Sequence, residues 1–143
     1  MSTQEVLDAI PHRDPFLFID DILSLSCKKI ECTRKISGKE DFFKGHYPGN
    51  PVMPGVILCE TIFQAGAILI SRIINEEITG TPVVTRVNDI KFKNMVKPGD
   101  NLNIEVELTE KITNVYFLKG KIKRENKTCV QLNFACTMIK GEM

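Results

Sequence analysis

The stretch Gly45–Gln64, GHYPGNPVMPGVILCETIFQ, decides how this chain must fold. Its first half holds His46, one of two histidines among 143 residues, in a loop stiffened by Pro48, Pro51 and Pro54. Pro54 suits the first turn of a helix, where its missing N–H costs nothing. From Val56 to Ile70 the sequence VILCETIFQAGAILI offers water no continuous polar face. A helix apolar all round is expected to be buried all round, as the core of a domain. It is short for a membrane span and is interrupted by Glu60 and Gln64. A carboxylate in such a helix is costly unless it is paired or used.

Upstream, Ser2-Thr3-Gln4-Glu5 has capping-box spacing and opens a short helix closed by Pro11. Phe16–Leu25 and Lys28–Ile36 are rich in aromatic and β-branched residues and are expected to be two strands about a turn at Ser26-Cys27. Gly38–Met53, with its glycines and prolines, reads as a constrained loop. Downstream of the helix, polar residues return at Ser71, Arg72, Asn75, Glu76 and Glu77, and Gly80 marks the exit. Strands follow at Val83–Lys93, Asn101–Leu108, Val115–Arg124 and Thr128–Ile139, with turns at Lys97-Pro98-Gly99-Asp100 and Glu125-Asn126-Lys127. One long helix with about six strands, mostly joined as hairpins, predicts an α+β fold of one domain over residues 1–143. In it an antiparallel sheet curls around the helix. One small sheet cannot surround a helix, so the uncovered side predicts a partner subunit, most economically a second copy.

Composition narrows the function. The apolar share of 43% and charged share of 26% are those of an ordinary globular protein. A formal charge of +1 argues against bulk attraction to nucleic acid or membrane. MSTQEVLDAI has neither the basic nor the apolar region of a signal peptide. Five cysteines, an odd number without a CxxC pair, read as free thiols in a reducing, cytoplasmic setting. Two distant histidines give little support for zinc.

An aimed imidazole and an isolated acid are the parts of a proton-transfer site. An unperturbed imidazole titrates near neutrality, so His46 suits the role of base. Gln64 lies one turn beyond Glu60 on the same helix face and can orient its carboxyl. A desolvated carboxyl tends to keep its proton and can act as the acid. Gly55 stands at the helix N-terminus, where free backbone N–H groups can polarise a carbonyl oxygen approaching closely. Base, acid and oxyanion donor together describe elimination of water beside a carbonyl, a scheme that requires no metal or redox cofactor. His12, between Pro11 and Arg13, reads instead as a locally bonded turn residue.

These residues resemble the (3R)-hydroxyacyl-[acyl-carrier-protein] dehydratases of the FabZ type, which have the hot-dog fold. PHRDPFLFIDDI, DFFKGHYPGNPVMPGVILCETIFQAG and DIKFKNMVKPGDNL match the family's successive motifs and cover most of residues 11–102. By position, the resemblance implies that His46 is the catalytic base and Glu60 the acid, meeting across a dimer interface. It implies that Gly55 is the backbone donor to the thioester carbonyl and that the Val52 carbonyl orients the histidine. Gln64 would be the amide beside the acid. Glutamate at position 60 favours the simple dehydratase over the bifunctional dehydratase/isomerase, which carries aspartate there. Tyr47 replaces the commoner phenylalanine, and the residues that set acyl-chain length lie outside the motifs.

The resemblance also implies an acidic acyl carrier protein as partner, delivering the chain on a phosphopantetheine arm. The homodimers of the family commonly assemble further, as trimers of dimers. Lys91, Lys93 and Lys97, or Lys119, Lys121, Lys123 and Arg124, are the two basic clusters that could receive the carrier. Two rival readings remain: a hot-dog thioesterase, which would direct water at the thioester carbon, and a non-catalytic acyl-binding paralogue.

Overall fold

A computed structural model describes residues 3–74 and 80–139. Helix α1 (Thr3–Ala9) is followed by strands β1 (Asp21–Leu25) and β2 (Lys29–Lys35), a 3₁₀ turn (Asp41–Lys44), and the long helix α2 (Gly55–Ile73). Strands β3 (Thr81–Phe92), β4 (Asn101–Ile112), β5 (Val115–Arg124) and β6 (Lys127–Ile139) complete the chain. All pairings are antiparallel, and the six strands form one sheet in the order β1-β2-β4-β5-β6-β3. This is the hot-dog architecture, with the helix lying in the curve of the sheet.

Strict alternation builds the helix-facing side. Leu102, Ile104 and Val106 of β4 are buried, as are Tyr116, Leu118 and Ile122 of β5, and they close on Ile62, Ala65 and Leu69 of α2. Each large apolar side chain buried this way contributes about 1.5–3 kcal/mol. The approach is closest at Gly120, where any side chain would strike Ile62. Residues of the opposite parity face outward, with Lys119, Lys121 and Lys123 of β5 opposite Glu107, Glu105 and Asn103 of β4.

Hairpin chemistry fixes the register. At the β5–β6 turn Glu125 and Asn126 both have positive φ, 52° and 66°, the signature of a turn whose twist matches its strands. At the β1–β2 turn the Ser26 hydroxyl accepts from the N–H groups of Lys28 and Lys29. Asp100 closes the turn before β4 by accepting from the Lys97 N–H at 2.8 Å.

Two expectations are corrected. Residues 16–20 are not strand; β1 begins only at Asp21, because the backbone of Phe16 and Phe18 bonds to a side chain of α2 instead. Pro54 precedes the first helical residue, with ψ of 134°, and its carbonyl accepts from the Ile57 and Leu58 N–H groups. As expected of one small sheet, helix α2 keeps one uncovered side. Val56 is 75% exposed, Glu60, Phe63 and Ala67 are half-buried and Ser71 is exposed. These residues recur every three or four positions and form one stripe that the sheet leaves open. At 19 residues and mean hydropathy 1.7, α2 has the length and composition to cross a membrane, but 56% of it is buried in this fold, as suits a core helix. The capping-box residue Ser2 and the polar residues Asn75, Glu76 and Glu77 lie outside the described residues.

All five cysteines are free, and all but Cys27 are buried. Burial pushes the Cys32 and Cys136 thiols up to about 12, which removes the thiolate needed for reaction. A native-state alkylation assay read by mass is expected to modify one site, Cys27. Rapid labelling at Cys32 or Cys136 would show that this core opens readily.

Candidate functional site

The loop that carries His46 is tied down at both ends. At its start, the Glu40 carboxylate accepts from the Ser37 N–H at 3.1 Å, the Gly38 N–H at 2.8 Å and Arg34 Nη2 at 3.3 Å. Burial pushes this carboxyl upward, yet the N–H groups of Glu40, Ser37 and Gly38 outweigh it and hold the group below its ordinary value. At its end, the Met53 N–H donates to the Val96 carbonyl at 2.7 Å. Between these anchors His46 Nδ1 lies 2.9 Å from the Val52 carbonyl oxygen. A carbonyl only accepts, so Nδ1 carries the proton, and in the neutral ring Nε2 keeps a lone pair. Tyr47 packs edge-on against the imidazole, with centroids 4.7 Å apart.

Gly55 opens α2. A Cβ there would lie 2.8 Å from Cε1 of Phe92, so β3 and the helix start meet with no room for a side chain. Among the described residues, the N–H groups of Gly55 and Val56 take no backbone acceptor. They are the orphan donors of a helix N-terminus, where the helix dipole is also positive.

One turn into α2, the Glu60 carboxyl meets a network that fixes its surroundings. Gln64 is fully buried. Its Oε1 accepts from the Phe18 N–H at 2.8 Å, while its Nε2 donates to the Phe16 carbonyl at 2.8 Å and to Glu60 Oε2 at 3.0 Å. The two backbone bonds dictate which way the amide points, so Glu60 always sees its N–H side. Glu60 itself is 23% exposed, open along the uncovered helix stripe rather than sealed in the core.

His12 is the residue that sequence reasoning placed wrongly. Its ring is not bonded locally: Nε2 lies 3.6 Å from Glu60 Oε2. No spacing in the sequence signals a contact across 48 positions.

Within one chain, His46 and Glu60 share no contact. Behind His12 runs an apolar groove of 260 Å³, lined by Ile10, Pro11, Ala67, Ser71, Ile74 and Pro82 among others. A larger concavity of 430 Å³ lies on the outer lysine-glutamate face of the sheet and holds neither residue.

Comparison with known proteins then gives the lineage. The FabA-like domain family matches residues 10–133. The chain is 36% identical over 131 residues to the 3-hydroxyacyl-[acyl-carrier-protein] dehydratase FabZ of Petrotoga mobilis, covering 92% of this chain and 93% of that protein. It is 42% identical over 117 residues to the FabZ of Pediococcus pentosaceus, covering 80% and 77%. The chain belongs to the FabZ-type dehydratase family. That family is one of hydro-lyases.

Solved structures agree on the fold. The dehydratase heterocomplex ApeI:P from Xenorhabdus doucetiae superposes with a TM-score of 0.81 at 15% identity, covering 94% of this chain and 91% of that one. The PaaI protein of the E. coli phenylacetic acid degradation operon gives 0.66 at 16% identity, with 82% and 81% covered. A hypothetical thioesterase with coenzyme A from Streptococcus pneumoniae gives 0.68 at 15%, with 85% and 89% covered. Thioesterases and dehydratases thus share this scaffold, and the sequence relatives, not the fold, separate the two.

Proposed function

We propose that this protein, folded as one domain over residues 1–143, converts (3R)-hydroxyacyl-[acyl-carrier-protein] thioesters to trans-2-enoyl thioesters in type II fatty acid synthesis. The observation that carries the reading is a pair of proton-handling groups, each with one end already occupied. His46 spends Nδ1 on the Val52 carbonyl and keeps Nε2 free, while Glu60 spends Oε2 on Gln64. In this reading Nε2 of His46 removes the α-proton, and the C–H electron pair moves toward the thioester carbonyl. The Gly55 and Val56 N–H groups stabilise the oxygen as negative charge builds there. The pair then returns to form the Cα–Cβ double bond. The Cβ–O bond breaks, and the hydroxyl takes the Glu60 proton and leaves as water. Proton exchange through solvent restores both groups.

The experiment that tests the reading is incubation with 3-hydroxyacyl-carrier thioesters of graded chain length, followed by mass. Loss of water is the expected result. Release of free carrier thiol would indicate a thioesterase, and tight binding without turnover an acyl-binding protein. The groove lined by His12 is the place for the acyl chain, since it is apolar and His12 itself faces the proposed acid.

The reading needs a second copy. The open stripe of α2 and the free edge of β3, which exposes Val87, Ile90 and Phe92, are the surfaces that the copy would cover. A twofold partner seated there brings its own His46 toward this Glu60. Ile90→Lys is expected to convert the dimer, and any trimer of dimers built from it, to monomers in sedimentation and to remove most turnover. A fully active monomer would end the shared-site reading. A cytoplasmic setting follows from five unpaired thiols.

Of the two basic clusters, the first suits the carrier. Lys121, Lys123 and Lys29 already surround Glu105 at 3.5–3.6 Å, and Arg124 faces Asp100. These neighbours depress the Glu105 carboxyl against the burial that raises it. Lys91, Lys93 and Lys97 are exposed and form no ion pair among the described residues, and the first two flank Phe92 beside Gly55. Lys93→Glu with Lys97→Glu is expected to raise KM about tenfold for carrier-linked substrate and leave short pantetheine thioesters unaffected. Equal effects on both substrates would remove these lysines from carrier docking.

A further inference from the structure

We propose that His12 is a positioning residue for Glu60: with Gln64 it clamps one carboxyl oxygen, Oε2, so that the other, Oε1, carries the transferred proton. This rests on the reading of Glu60 as the acid.

The segment that holds His12 is fixed independently of Glu60. Arg13 turns its guanidinium back onto the end of α1, donating to the carbonyls of Leu7 at 3.0 Å, Ile10 at 2.8 Å and His12 at 2.7 Å. Those carbonyls include the ones a helix C-terminus leaves unpaired. Phe16 stacks on the His12 ring at 19°, with centroids 6.3 Å apart, and the Phe16 carbonyl in turn holds Gln64. The imidazole and the amide that meet Glu60 are therefore set by one short stretch of chain.

The tautomer follows from what each nitrogen meets. His12 Nδ1 is buried and has no hydrogen-bond partner among the described residues. A proton on Nδ1 would be an orphaned buried donor, whereas a bare lone pair there costs less. The ring proton belongs on Nε2, which faces Glu60 Oε2 at 3.6 Å. Such contacts are commonly long before substrate closes a site and tighten afterwards.

Glu60 Oε2 then faces two N–H donors, from Gln64 and His12, while Oε1 takes no hydrogen bond among the described residues. An oxygen enclosed by donors is an acceptor and cannot also present a proton. The acid proton sits on Oε1, aimed by the clamp on its twin. When the proton leaves, the new negative charge settles on Oε2, where both donors strengthen their bonds to it. The clamp thus acts more on the transition state than on substrate binding.

Three variants and a double variant test this. His12→Leu is expected to lower kcat about ten- to a hundredfold, the worth of one hydrogen bond to a charged group, with KM within about twofold. His12→Gln, whose side-chain N–H reaches the Nε2 position, is expected to recover most of that loss. Thermal unfolding of both variants checks that they fold alike. In a Glu60→Gln background, His12→Leu should cost nothing further, because the group it positions is gone. A wild-type kcat in folded His12→Leu, or equal losses in His12→Leu and His12→Gln, overturns the proposal while leaving Glu60 as the acid. High activity of Glu60→Gln alone overturns the acid reading itself.

Discussion

Glu60→Gln and His46→Ala are each expected to lower the dehydration rate by about two to four orders of magnitude, the usual contribution of a general acid or base. Neither substitution disturbs the core. His46 sits in the 45–54 loop with a single backbone bond to Val52, and Glu60 lies on the open stripe of α2. Circular dichroism and dimer sedimentation should therefore match the wild type. The decisive measurement is a mixture. If each site takes its imidazole from one subunit and its carboxyl from the other, a mixed dimer of the two variants has one intact site and one doubly damaged site. After equal mixing and free exchange, half the dimers are mixed, and about a quarter of wild-type turnover returns. No recovery, with exchange shown by mass, would mean that both groups of a site come from one chain. Retention of near-normal rates by either single variant would remove that residue from the chemistry.

Gln64→Leu strikes the fold and the site together. The side chain is completely buried and makes three hydrogen bonds, two of them to the backbone of residues 16 and 18. Leucine fills similar space but leaves the Phe18 N–H and the Phe16 carbonyl without partners, at about 1–3 kcal/mol each. Denaturant midpoints at matched protein concentration should show a loss of about 2–4 kcal/mol; the concentration is matched because the proposed dimerisation would contribute to apparent stability. Turnover should also fall, because Glu60 loses the donor that orients it. Gln64→Glu separates the two effects. It still accepts from the Phe18 N–H, but as a carboxylate it cannot donate to the Phe16 carbonyl and it places a second acid beside Glu60. Its activity is expected to fall further than its stability. A fully stable, fully active Gln64→Leu would show that the network is incidental.

Much of this protein is written in local pattern. The apolar run after Pro54, interrupted by Glu60 and Gln64, reads as a core helix, and the alternation in β4 and β5 states which residues face it. The turns at Ser26, Asp100 and Asn126 declare themselves through side chains that bond their own backbone or tolerate positive φ. His46 and Glu60 stood out because each is a rare, chemically able group inside a stiff or apolar segment. These features are local, so one chain segment contains the whole of the reason for each.

Contacts between distant segments were decided by the tertiary fold alone. Phe16–Asp20 has the composition of a strand, yet the Phe18 N–H and the Phe16 carbonyl go to Gln64, forty-six positions from Phe18, because a buried amide needs partners more than a short edge needs a neighbour. His12 looked like a turn residue and instead faces Glu60, for the same segment folds against the middle of α2. In a single chain the Glu60 carboxyl is partly open, since one six-stranded sheet leaves one helix stripe bare. Hydrophobic periodicity tells which side of an element is covered, but not which polar group from elsewhere arrives to meet it.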